Sequence, residues 1–160
     1  MLVLIPSQID GEPFTLTKLG ELAKRYFPNQ ESGYRHYASD VQSQFGNQAP
    51  VESYWLLLTR NVLHDSQGKN YHAQKNMVPE NYNLPSALEA ATGILTYYAR
   101  HNKKRLFSDR PWTYTRCTEM QLVNDRLPIV VVGFVSEGPH INYEDSVCDD
   151  DGIACCRKLE

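Results

Sequence analysis

Apolar residues along this chain fall into two periods. From Thr15, a suitable helix N-cap, Leu16, Leu19, Leu22, Ala23, Tyr26 and Phe27 line one helical face, with Lys18, Glu21, Lys24 and Arg25 turned away. Pro28 ends that helix. Tyr34, Tyr37, Ala38, Val41 and Phe45 repeat the spacing, and Gly46 stands where a left-handed C-cap is usual. A third face runs through Leu84, Ala87, Leu88, Ala91, Ile94, Leu95 and Tyr98, with Pro85 at a first helical position. Cations from Arg100 to Arg105 follow it, where they offset the partial negative charge of the last carbonyls.

Other stretches read as strands. Val3, Leu4 and Ile5 form a short one before Pro6, and residues 53–59 are continuously apolar and aromatic, which predicts a buried central strand. After Phe107 the period becomes two. Trp112, Tyr114, Arg116, Thr118 and Met120 alternate with Thr113, Thr115, Cys117 and Glu119, which puts Trp112 and Tyr114 on one face toward a core. Leu127 to Val135 is the most β-prone segment and pairs back as a hairpin across Asn124-Asp125-Arg126. Short strands are expected at His140–Tyr143 and from Ile153 to Lys158. Helices first and strands last predict an α+β fold, in which N-terminal amphipathic helices pack on a mainly antiparallel sheet formed largely by the C-terminal half. Residues 61–83 break both periods, and a polar connection of that length reads as a contact region.

Composition adds bounds. At 160 residues the chain suits one domain, 1–160. Sixteen basic and nineteen acidic residues give a net charge of −3, which provides no general attraction to nucleic acid or anionic lipid. No run approaches the ~20 apolar residues of a spanning helix, so neither a nucleic acid nor a membrane is an expected partner. Cys155 and Cys156 are adjacent and the chain is large for a disulfide scaffold, which favours reduced thiols and a cytoplasmic setting. The abrupt apolar start and the Leu159-Glu160 end read as the borders of a piece of a longer protein.

The segments 19–24, 54–59, 106–117 and 131–134, with Tyr54-Trp55-Leu56-Leu57-Leu58-Thr59 and Pro111-Trp112-Thr113-Tyr114-Thr115-Arg116-Cys117 among them, resemble an uncharacterised paralogous protein family of chlamydia-like intracellular bacteria. The resemblance spans most of the chain, and the Asp149–Asp151 region departs from the pattern. Some members of that family carry F-box-like or leucine-rich-repeat regions beside this domain. The resemblance implies no chemistry. It implies a domain of a larger, effector-like protein that acts on other proteins, delivered in some cases to a host cytosol.

Candidate chemistry is sparse. In Glu144-Asp145-Ser146-Val147-Cys148-Asp149-Asp150-Asp151-Gly152, placing Gly152 at the sixth position of a calcium loop puts Val147 first and Lys158 twelfth, where acidic ligands are needed. A solvated acidic turn is the better reading. Cys148, Cys155, Cys156 and His140 lack the C-x₂₋₄-C clamp of a zinc site, so no metal or other cofactor is expected. A nucleophilic site would need Cys117 beside His64 or His140, which only the fold can supply, and no G-x-S-x-G elbow surrounds a serine. Arg105, Arg110, Trp112 and Tyr71 are the binding candidates, from a basic, aromatic stretch and the long connection. The expectation is a non-catalytic protein-interaction domain whose partner is another protein. The alternative is a small hydrolase or transferase using Cys117 with a histidine. The oligomeric state is open.

Overall fold

The computed structural model describes residues 1–107, 113–120, 129–135, 137–144 and 147–159. Its elements in chain order are β1 (Leu2–Ile5), the short β2 (Gln8–Ile9) and β3 (Glu12–Pro13), α1 (Leu16–Ala23), β4 (His36–Tyr37), α2 (Ser39–Phe45), β5 (Tyr54–Leu58), α3 (Tyr71–Lys75), α4 (Ala87–Arg100), β6 (Tyr114–Met120), β7 (Ile129–Val135), β8 (Gly138–Glu144), β9 (Asp151–Gly152) and β10 (Cys156–Leu159). The α+β class is as expected. The strands, however, divide between an antiparallel sheet of order β1-β5-β10 and a mixed sheet of order β4-β8-β7-β6-β9, with β2 and β3 as a separate hairpin. The last strand therefore joins β5 and not the C-terminal sheet.

Helix α4 packs against both sheets, contacting β1 on one side and β6, β7 and β8 on the other. Ala87, Ala90, Ala91 and Ile94 are fully buried, and Leu88, Thr92, Leu95 and Tyr97 nearly so. A helix buried on most of its circumference needs small residues where neighbours approach closely. Gly93 is such a place, because a Cβ there would stand 2.4 Å from Leu58 Cδ2. The start of α4 is fixed by a capping box the sequence reading did not identify. Ser86 Oγ accepts from the Glu89 N–H and the Glu89 carboxylate accepts from the Ser86 N–H. Pro85 precedes this cap and does not open the helix.

The second expected helix is shorter at its start. Tyr34 lies before it, fully enclosed, and its hydroxyl donates to the Leu16 carbonyl at 2.7 Å. His36 and Tyr37 are extended because they pair in parallel with His140 and Ile141 of β8, and that pairing overrides the helical spacing. Gly46 has a right-handed φ of −58°. It is needed for space, since a Cβ would lie 2.3 Å from the Gln42 carbonyl oxygen.

On β6 the face is the reverse of the expectation. Thr115 and Cys117 point into the core, while Tyr114 stays half-buried on the opposite side. Arg116, on that second side, is 2% exposed. Its guanidinium donates to the Lys69 carbonyl at 3.1 Å and to Gln74 Oε1 at 2.9 Å, and faces Asp151 Oδ2 at 3.5 Å. Gln74 Nε2 in turn donates to the carbonyls of Ser66 and Asp151. The long 61–83 connection is therefore fastened to β6 and β9 from beneath.

A buried pair that loses one member leaves the other charge desolvated, which costs about 3–5 kcal/mol. Replacing Arg116 by Met should lower the stability of the fold by roughly that amount and release the 66–76 segment first. Urea unfolding, with amide exchange at Gln74 and Ile153, measures both effects. An unchanged midpoint would show that the network is incidental.

Candidate functional site

In the β1-β5-β10 sheet, alternation aims Val3, Ile5, Leu56 and Leu58 at α4 and the core. The opposite face carries two cross-strand rows, Leu2–Leu57–Arg157 and Leu4–Trp55–Leu159. Leu2 is 50% exposed, Leu4 44%, Trp55 49% and Leu159 39%. A single exposed leucine is ordinary, but apolar side chains adjoining across three strands form a patch of the kind that proteins use for contact. Arg157 gives one border of it a positive charge.

Where β5 begins and β10 ends, the patch borders a cavity of about 570 Å³ walled by Leu16, Phe45, Pro50, Leu88 and Leu159. The fully exposed Val51 stands at its rim. Its polar groups are already engaged. Tyr54 donates to Glu89 Oε1 at 2.6 Å, Lys158 Nζ lies 4.2 Å from the Tyr54 ring centroid, and both Glu119 oxygens accept from the Ala87 N–H at 2.9 Å. Burial, followed by the Glu89 hydrogen bond, raises the Tyr54 phenol far above its usual range. Burial also raises the Glu119 carboxyl. The cavity is lined by a mixture of apolar and polar side chains, Gln48 and Glu52 among the latter.

The nucleophile pairing foreseen from the sequence is not assembled. Cys117 is fully buried on the α4 side of β6, and burial raises its thiol well above the usual value. His140 belongs to the other face of the same sheet, where its Nδ1 lies 3.3 Å from the Tyr114 hydroxyl. His64 is exposed and pairs with its neighbour Asp65 at 2.7 Å. Neither histidine meets the sulfur.

Among the binding candidates, Arg105 lies over the Phe134 ring at 5.2 Å and Tyr71 is half-buried in the anchored connection. Arg110 and Trp112 lie outside the described residues. Cys155 and Cys156 are buried free thiols, pushed up by burial to about 11 and about 12 respectively. Cys148 is partly exposed and free. Asp151 faces inward to Arg116 instead of solvent, so the acidic turn is solvated only in part. Among the described residues, no group of three His, Cys, Asp or Glu side chains is arranged to hold a metal ion.

A continuous apolar run such as residues 53–59 predicts a strand covered on both faces, and the structure covers only one. The useful signal was the supply of cover. Three amphipathic helices are too few to shield both faces of two sheets, so one apolar face has to remain open.

On the large sheet one cross-strand row runs from the exposed His36 to the buried Asp151. His36, His140, Gly133, Tyr114 and Asp151 occupy successive paired positions across its five strands. The His36 and His140 rings are 4.8 Å apart, and the Tyr114 ring lies against Gly133, where a Cβ would meet it at 2.3 Å.

Comparison with known proteins adds no relative: no protein family, no curated protein and no solved structure matches the chain. What the fold defines is a class, an α+β domain of two sheets around one buried helix.

Burial, with the nearby charges of His36 and Arg35, lowers His140 from 6.5 to about 4. As pH falls between those values the unfolded chain takes up a proton that the folded chain refuses, so this group removes stability on acidification. Asp151, raised by burial to about 6 despite Arg116, works in the opposite sense, because its folded form retains a proton that the unfolded form releases as pH rises. The difference between wild type and His140→Gln isolates the histidine. The variant should lose less stability than wild type between pH 6.5 and 4, measured by urea midpoints across that range, and parallel curves would contradict the assignment.

Proposed function

We propose that this chain is a non-catalytic protein-interaction domain of a larger bacterial, effector-like protein, and that it acts through the outer face of the β1-β5-β10 sheet. The observation that carries the reading is the two-row patch of Leu2, Leu4, Trp55, Leu57 and Leu159, left uncovered by every other part of the described chain. Full burial of a large apolar side chain is worth about 1.5–3 kcal/mol, so covering these half-exposed ones recovers roughly half of that for each. Tryptophan at the centre of such a patch is a typical anchor of an interface.

The Arg116 network holds the 61–83 connection against the large sheet in one arrangement, which would lower the entropy lost if that connection also meets a partner. The separation of Cys117 from the histidines supports binding over hydrolysis or group transfer. No helix among the described residues is long and apolar enough to cross a membrane. The bacterial origin and delivery to a host cytosol rest on the family resemblance, and the cytoplasmic setting rests on the free thiols.

Trp55→Ser should reduce capture of the partner from a lysate at least ~10-fold, about 1.4 kcal/mol, while leaving the unfolding midpoint within the small range of surface substitutions. Quantitative mass spectrometry of material bound to wild type, Trp55→Ser and an Arg110→Ala/Trp112→Ala double variant measures it. Undiminished capture by Trp55→Ser, with loss in the double variant, would move the contact to the 105–112 stretch.

A further inference from the structure

The small sheet has two edges of different character. On β10 the backbone of Cys156 faces outward and is closed by reciprocal hydrogen bonds with Asn83, each 2.8 Å. The backbone of Lys158 also faces outward on that edge, while its ammonium lies over the Tyr54 ring. On β1 the Leu58 N–H donates to the Met1 carbonyl, which fixes the alternation. Val3 and Ile5 bond inward to Leu56 and Tyr54, while the N–H and C=O groups of Leu2 and Leu4 point away from β5. They have no backbone partner among the described residues. The Met1 ammonium is turned inward to the Leu58 carbonyl, and from Leu2 to Ile5 this edge carries no charged side chain, no bulge and no proline.

We propose that β1 pairs with β1 of a second copy of this chain, antiparallel about a two-fold axis at Val3. Leu2 of one copy then lies opposite Leu4 of the other, and the outward groups of both residues close four hydrogen bonds. The strand is self-complementary in this register: all its cross-strand pairs are apolar and no like charges meet. Pro6, which would be the next outward position, has no N–H and ends the pairing. Pairing β1 with β10 instead would place it on the edge already closed by Asn83. The two-fold arrangement also closes on itself, whereas a β1-to-β10 contact would propagate.

Joining the copies makes one six-stranded sheet and sets the Leu4–Trp55–Leu159 row of one copy beside the Leu2–Leu57–Arg157 row of the other, so the open apolar face doubles. A four-residue edge buries much less than the roughly 800 Å² per partner of a standard interface, so the dimer dissociates on dilution. The pairing does not depend on what the apolar face then binds.

Sedimentation equilibrium over a wide concentration range, with amide exchange at dilute and concentrated ends, tests the proposal. The expected result is a monomer–dimer equilibrium in which exchange of the Leu2 and Leu4 amides slows on concentration, while Val3 and Ile5 are protected throughout. Leu2→Lys/Leu4→Lys changes two exposed side chains and should weaken dimerisation at least ~10-fold with Val3 protection retained as proof of folding. Trp55→Ser should leave dimerisation unchanged, even where it abolishes partner capture. A monomer at all concentrations would overturn the proposal, as would a dimer that Trp55→Ser abolishes while the Leu2 and Leu4 amides exchange unchanged, since that result marks face-to-face packing.

Discussion

The structure depends on the burial of α4 between two sheets. A helix enclosed on most sides can present few large residues in every direction, and the run Ala87, Ala90, Ala91 and Gly93 lets β5 and the large sheet approach it closely, with Leu88, Ile94 and Leu95 filling the remaining space. One consequence concerns cover. Because the same helix serves the inner face of both sheets, their outer faces must be covered by something else. The 61–83 connection covers part of the large sheet. No other part of the described chain covers the outer face of the small sheet, which is where the apolar rows stay open.

Arg116 shows how a long polar connection is kept in place without an apolar core of its own. Its guanidinium accounts for the Lys69 carbonyl, the Gln74 amide oxygen and the Asp151 carboxylate, and Gln74 carries the network on to Ser66. Ser66 Oγ accepts from the Ile153 N–H, and Ala154 N–H donates to Thr115 Oγ1, so the segment leading into β10 is fixed by the same neighbourhood. Such networks add little stability compared with an apolar replacement of equal volume, and their best-attested contribution is to select one arrangement. Here that arrangement ties the connection, β6 and the approach to β10 together, so the geometry of the small sheet depends partly on a charge buried in the large one.

Much of this was readable from the sequence, for physical reasons that differ by element. The Thr15 cap and the buried Leu16, Leu19 and Ala23 of α1 follow from local spacing, and the cap accepts from Lys18 N–H, but the helix ends at Ala23, short of Pro28, and leaves Leu22 and Tyr26 exposed. The core of α4, the β6–β7 pairing and β8 were likewise visible in period and turn residues. Tyr34 and Tyr37 were misread because helical spacing is a weak preference beside a strand pairing with β8 and a buried hydroxyl bond to Leu16. The face of β6 is the reverse of the one expected because Thr115 and Cys117 carry less apolar area than Tyr114, yet the larger side chain does not decide the face when a helix packed with small residues comes so near. The position of β10 could not be read, since a strand of four residues gives no indication of its sheet. Trp55 escaped notice for a related reason: the sequence records that a side chain is apolar but not whether anything remains to cover it.

The central claim is that the outer face of the small sheet is open in the free chain while α4 is sealed. Hydroxyl-radical footprinting of the dilute protein, read residue by residue by mass spectrometry, tests it most directly. The account predicts heavy modification of Trp55, Leu4 and Leu159 and little at Leu58, Ile94 and Leu95. Trp55 as protected as Ile94 in the dilute chain would contradict it, because something within the chain would then already lie over the face.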